Sequence, residues 1–138
     1  MNRVLLDTNV VLDVLLDRTP HAEASSVIWA AVETGVSEGL LAAHAVTTIH
    51  YLVRKELGAN KTKRILSAIL RVFDVAPVDA AVIEEALQLS CPDFDDAVTA
   101  AAARLADCDF IVTRDPRGFR GSPVRSLTPE AATPLLGQ

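Results

Sequence analysis

Three aspartates in this 138-residue chain occupy positions where side chains could act together: Asp7 in "VLLDTN", Asp96 in "DFDDAV" and Asp115 in "IVTRD". Like charges brought together raise one another's pKa and destabilise their surroundings unless a cation neutralises them. Gathered on one rim, these acids would call for a divalent metal, and oxygen-only ligation suits Mg²⁺ or Mn²⁺ rather than zinc. Such a site can activate water and brace the leaving oxygen of a phosphodiester. A structural reading competes. Asp93 as a helix N-cap with Asp96 at the third helical position makes a capping-box-like start, and acids near a helix N-terminus are favoured by its dipole. Spacing alone leaves the two readings level.

Bringing the three together needs an alternation of strands and helices. "RVLLD" reads as a short buried strand ended by Asp7. "TNVVLDVLLD" continues at helical spacing. Thr19 can cap a helix with Pro20 in its first position, with Val27, Ile28, Ala31 and Val32 on one face and Gly35 as the stop. "EGLLAA" is a second strand. A helix from His44 to Leu57 ends at Gly58, and another runs from Asn60 to about Arg71. "VFDVAPV" is a third strand, and Asp79 caps "AAVIEEALQLS". Asp93 starts "FDDAVTAAAARLAD", apolar on nearly all sides and so expected deep in the domain. "DFIVT" and "SPVRSL" are the fourth and fifth strands, and Thr128 and Pro129 open a last short helix. The alternation predicts an α/β fold, a parallel sheet covered on both faces, formed by one domain over residues 1–138. In such sheets ligands bind beyond the carboxyl ends of the strands, where strand order reverses. That rule puts Asp7 and Asp115 on the same rim.

Composition narrows the class. Half of the residues are apolar with few aromatics, and no uncharged run approaches the roughly 18 residues of a membrane span. A cytoplasmic protein is the default expectation. Cys91 and Cys108 lack C-x-x-C spacing, and His21, His44 and His50 have no partner at ligand spacing, so reduced thiols and ordinary histidines are expected. A net charge of −5 argues against a general nucleic-acid coat. Ten of the thirteen basic residues nevertheless fall into two groups, Arg54 to Arg71 and Arg114 to Arg125. A solvated helix face explains the first as well as an RNA track does.

"VLLDTNVVLDVLL", "DFDDAVTAAAA" and "DFIVTRDPRGF", in that order, resemble the PIN-domain nucleases over residues 4 to 119. The resemblance implies a three-layer α/β/α sandwich and metal-dependent ribonuclease activity, with Mg²⁺ or Mn²⁺ as cofactor and products bearing a 5′-phosphate and a 3′-hydroxyl. Many small members are toxins of bacterial toxin–antitoxin pairs, the VapC-like group. By position, Asp7, Asp96 and Asp115 match the family's metal-binding and catalytic acids. Thr8, Asn9 and Thr113 match the small polar residues that support them, with Asp93 and Asp95 as neighbours. Two positions depart from the pattern. Aligned on Tyr51 and the following basic pair, Thr48 stands where the family places a Glu, and Gly118 replaces an acid often found before the Phe of the last motif.

The expected function is therefore a metal-dependent endoribonuclease with RNA as substrate, a small antitoxin as partner and a homodimer as the assembly. The helices from Pro20 to Gly35, carrying Trp29, and from His44 to Leu57 are candidate association surfaces, or simply cover the sheet. The alternative is a PIN-like RNA- or protein-binding module weakened by the missing Glu. An aspartyl-phosphate phosphotransferase with Asp7 as nucleophile would need a second acid two residues on, where Asn9 stands.

Overall fold

The computed structural model describes residues 1–137. Five strands, β1 (Arg3–Leu6), β2 (Glu38–Ala42), β3 (Asp74–Ala76), β4 (Phe110–Val112) and β5 (Arg125–Leu127), form one all-parallel sheet in the order β3-β2-β1-β4-β5. The chain winds outward from β1 through β2 to β3, then returns to place β4 on the other side of β1. The reversal falls between β1 and β4, and the crevice outside their carboxyl ends is the expected binding position.

Alternate residues on each strand face opposite layers, the period-2 rule of a pleated strand. Val4, Leu6, Leu41, Phe110 and Val112 enter one core, with Val10, Ile28, Ile49, Ile69 and Phe73. These come from α1 (Thr8–Leu15), α2 (Ala22–Glu33), α3 (Ala43–Leu57) and α4 (Ala59–Val72) with the residue that follows it. Leu5, Leu40, Ala42 and Ile111 enter the other core, against α5 (Ala80–Gln88) and α6 (Phe94–Leu105). A short α7 (Pro129–Ala132) packs on α2. The result is the expected α/β/α sandwich. Full burial of each large aliphatic chain here contributes about 1.5–3 kcal/mol.

Helix α6 is the expected deep element. Ala97, Val98 and Ala100 to Ala103 are all buried, and alanines let the helix lie close on the sheet. Gly58, at a φ of +84°, separates α3 from α4 in a conformation that favours glycine. Asp79 accepts from the Val82 N–H and caps α5. Both cysteines are free, Cys108 buried and Cys91 partly so; burial is the main cause lifting the Cys108 thiol to about 11.

Two expectations about the second helix need correction. It begins at Ala22 with His21 as N-cap and no side-chain cap bond. Residues 19–21 form a turn with a cis Thr19–Pro20 bond, so Pro20 lies outside the helix. Val27 is 46% exposed; the buried stripe is Ser25, Ile28 and Val32, at i, i+3 and i+7, and Val27 lies more than a third of a turn from the middle of it. Trp29 turns inward, edge-on to Phe73 with ring centroids 5.0 Å apart, so this helix covers the sheet with its aromatic residue. Among the described residues no helix is long and apolar enough to cross a membrane.

Candidate active site

Asp7 directly follows β1 and is the N-cap of α1, its Oδ1 accepting from the Thr8 N–H at 2.9 Å. Its other oxygen, Oδ2, accepts from Thr113 Oγ1 at 2.8 Å. Thr113 is fully buried just beyond β4, and the same hydroxyl accepts from the Asp115 N–H at 3.1 Å. One threonine thus joins the ends of β1 and β4 and orients the loop that carries Asp115. Asn9 Oδ1 adds a bond from the Arg114 N–H at 3.3 Å. Thr8, through its backbone, and Thr113, through its hydroxyl, thus both bond to Asp7, while Asn9 bonds to the loop that carries Asp115.

The third acid comes from the other layer. Asp93 caps α6, its Oδ1 accepting from the Asp95 N–H at 2.8 Å rather than from Asp96 as a capping box would have it. Asp96 is left to face the rim. A Cβ added at Gly118 would lie 2.8 Å from Asp96 Oδ2 and 3.9 Å from Asp115 Oδ2, so both carboxylates border this glycine. Burial and then the charges of Asp7, Asp93, Asp95 and Asp115 push the Asp96 carboxyl up to about 6. Burial also raises Asp7, against the lowering effect of its bonds from Thr113 and Thr8. At the reversal of strand order, Thr113 thus links Asp7 to the loop of Asp115, and the Asp96 carboxylate borders Gly118 together with that of Asp115.

Among the described residues no three His, Cys, Asp or Glu side chains are gathered closely enough to hold a metal ion by themselves. The acids line an open rim rather than a closed cage. An oxygen-only donor set in which Asp7 and Asp115 add to the raising of the Asp96 carboxyl still fits a hard cation that retains much of its own water, as Mg²⁺ does. A groove of about 590 Å³, lined by residues such as Glu85, Leu89 and Arg104, contains none of these acids.

Three residues near the rim escaped the sequence reading. Asp13, one turn after Asn9 on α1, is fully buried, with its Oδ2 2.7 Å from Arg114 Nε. The pair is an ion pair by distance without a well-aligned hydrogen bond, and Arg18 stands 3.9 Å from the other oxygen. A lone acid inside the apolar run "VVLDVLL" was the available signal. His44, one residue into α3 and just beyond β2, lies 3.0 Å from Asp95 Oδ1. Thr48 is exposed one turn further along α3 and brings no charge to the rim. Of the basic groups, Lys63, Arg64 and Arg71 line an exposed groove on α4, while Arg117 reaches within 3.5 Å of Asp115.

The sequence model of the PIN domain matches residues 3–117. The chain belongs to the PIN-domain family. Among solved structures it is similar to FitAcB from Neisseria gonorrhoeae, with 25% identity and a TM-score of 0.70, covering 92% of this chain and 98% of that one. A toxin–antitoxin complex from Klebsiella pneumoniae matches at 21% identity and a TM-score of 0.69, covering 91% and 97%. VapC20 from Mycobacterium tuberculosis, described as a sarcin–ricin loop cleaving toxin, matches at 17% and 0.63, covering 78% and 86%. Comparison with curated protein sequences finds no match.

Proposed function

We propose that this PIN-domain protein is a divalent-metal-dependent endoribonuclease acting in the cytoplasm as the toxin of a toxin–antitoxin pair. The observation that supports the reading is the Thr113 link between Asp7 and the Asp115 loop at the switch point, with Asp96 beside Asp115 about Gly118 and raised to about 6 chiefly by burial and then by its acidic neighbours. Asp7, Asp96 and Asp115 would hold Mg²⁺ or Mn²⁺. A cation there supplies positive charge against the negative charge developing on a scissile phosphodiester, and makes water a better nucleophile. Thr113 and the Thr8 N–H fix the Asp7 carboxylate, so its oxygens are oriented before substrate arrives. Arg117, 87% exposed beside Asp115, is free to turn to an RNA phosphate. The likeness to a toxin–antitoxin complex and to a toxin described as sarcin–ricin loop cleaving supports the assignment.

Incubating the purified protein with single-stranded and stem–loop RNA, with Mn²⁺ or with EDTA, tests this. Mn²⁺-dependent internal cleavage, lost in Asp7→Asn, is expected. Cleavage indifferent to EDTA would overturn the metal assignment. A second reading is favoured by the uncharged Thr48: a catalytically weakened PIN-like RNA- or protein-binding module, indicated by Mn²⁺ binding that is absent or unchanged in Asp7→Asn, with no cleavage of any RNA. For assembly we propose a homodimer bound to a small antitoxin whose Arg or Lys pairs with the rim acids. Sedimentation across a wide concentration range tests the dimer, and a monomer throughout removes it.

A further inference from the structure

The sheet order sets β2 beside β1 and opposite β4, so the first turn of α3 reaches the same rim as Asp7 and Asp115. His44 is in that turn. Its Nε2 lies 3.0 Å from Asp95 Oδ1 and 3.3 Å from Thr99 Oγ1. The Thr99 hydroxyl proton is already given to the Asp95 carbonyl at 3.1 Å, so the imidazole must be the donor to Thr99, which places its proton on Nε2. Its Nδ1 is buried without a partner. Buried polar atoms in native proteins are normally satisfied, and one left alone needs a reason. A histidine serving only to pack α3 would not need its ring tied through one nitrogen to the residue next to Asp96.

Resting on the reading proposed above, we infer that His44 is a positioning residue of the acidic rim. It grips Asp95 by its carboxylate and, through Thr99, by its carbonyl. This holds the first turn of α6 against α3 with Asp96 turned toward Asp7 and Asp115. The Asp95 side chain is 71% exposed, and besides these ties the residue is bonded through its N–H to Asp93 Oδ1 at 2.8 Å. Thr48, four residues after His44, is uncharged, so His44 is the residue of α3 shown to engage the acids. Outer residues that orient metal ligands typically change affinity 10–100-fold when removed.

The test is Mn²⁺ titration of the intact protein, with thermal midpoints measured beside each affinity. His44→Ala is expected to weaken Mn²⁺ binding about tenfold or more. His44→Gln, whose amide can donate from a similar position, is expected to restore most of it. In an Asp95→Ala background, His44→Ala should cost clearly less than in the native protein, because the carboxylate half of its grip is already gone and only the path through Thr99 is left. Should His44→Ala prove unstable, the comparison of His44→Gln with native protein, and of both with Asp95→Ala, carries the same decision. Native affinity in His44→Ala, a Gln variant as weak as the Ala variant, or additive effects in the double variant would each overturn the inference. Failure of the underlying reading looks different: native protein that binds no Mn²⁺, or binds it equally well as Asp7→Asn, overturns both. Native binding lost in Asp7→Asn with a silent His44→Ala overturns the histidine's role alone.

Discussion

Thr113 Oγ1 donates to Asp7 Oδ2 at 2.8 Å, tying the end of β4 to the end of β1 across the switch point. Thr113→Val keeps the shape and removes the hydroxyl. Asp7 would retain only its bond from the Thr8 N–H, and the Asp115 N–H would lose its acceptor. The variant should be less stable by about 1–2 kcal/mol and bind Mn²⁺ at least about tenfold more weakly. Denaturant unfolding and Mn²⁺ titration measure the two effects separately.

Asp96 gives a pH dependence whose sign is fixed. Its carboxyl is near 6 in the fold against an ordinary 3.8, so the native state holds a proton that the unfolded chain has released. Stability linked to this group is fully present below about pH 4 and is lost as pH rises through about 6. Asp7, raised chiefly by burial, contributes in the same direction. In EDTA the thermal midpoint should therefore carry a downward component between about pH 4 and pH 6, diminished in Asp96→Asn. Mn²⁺ should offset it increasingly above pH 6. An Asp96→Asn profile parallel to native across this window would contradict the assignment.

The buried Asp13–Arg114 pair should matter for both fold and site. Arg114→Ala leaves a fully buried carboxylate with only Arg18 at 3.9 Å. Removing one partner of a fully buried pair costs about 3–5 kcal/mol, and the partial exposure of Arg114 lowers this to about 2–3 kcal/mol. Asp13→Asn should restore part of the stability in the double variant, because the stranded charge is gone. A double-mutant cycle by denaturant unfolding reads this coupling.

Gly118→Ala is expected to spare the fold and injure the site. The added methyl would come 2.8 Å from Asp96 Oδ2, the far end of a side chain that can swing away. The thermal midpoint should change little while Mn²⁺ affinity drops. Equal affinities in the two proteins would show that Asp96 can shift without consequence.

Thr48→Glu adds the carboxylate that the rim lacks on α3. Thr48 is exposed, one turn from His44, so the new acid can reach solvent or the rim without strain. Tighter Mn²⁺ binding and faster RNA cleavage are expected. No change in either would show that this position does not face the acids.

The strands, the helices and their layering were legible in the sequence because they rest on local signals, short apolar runs ended by acids or proline and helices closed by glycine; the order of strands in the sheet was not, because it rests on pairings between distant segments. Asp7 and Asp115 could be assigned to one rim because the parallel-sheet rule sets strand ends together, whereas Asp96, in the first turn of a helix, was singled out by its motif. His44 and the Asp13–Arg114 pair were not. Each contact joins residues more than fifty positions apart, and neither has a spacing that marks it. The start of α2 was misread because Thr19 and Pro20 carry the usual signature of a helix beginning, whereas here they form the turn before it.

The alanines of α6 have a mechanical consequence. Alanine has no rotamers to exchange, so the face from Ala97 to Ala103 cannot accommodate a displaced neighbour by turning a side chain. Any movement of β1 or β4 must be taken up by translation of the helix as a rod. Asp96 is at the end of that rod, so its distance to Asp7 and Asp115 records the spacing between helix and sheet, as a pointer records the position of its shaft.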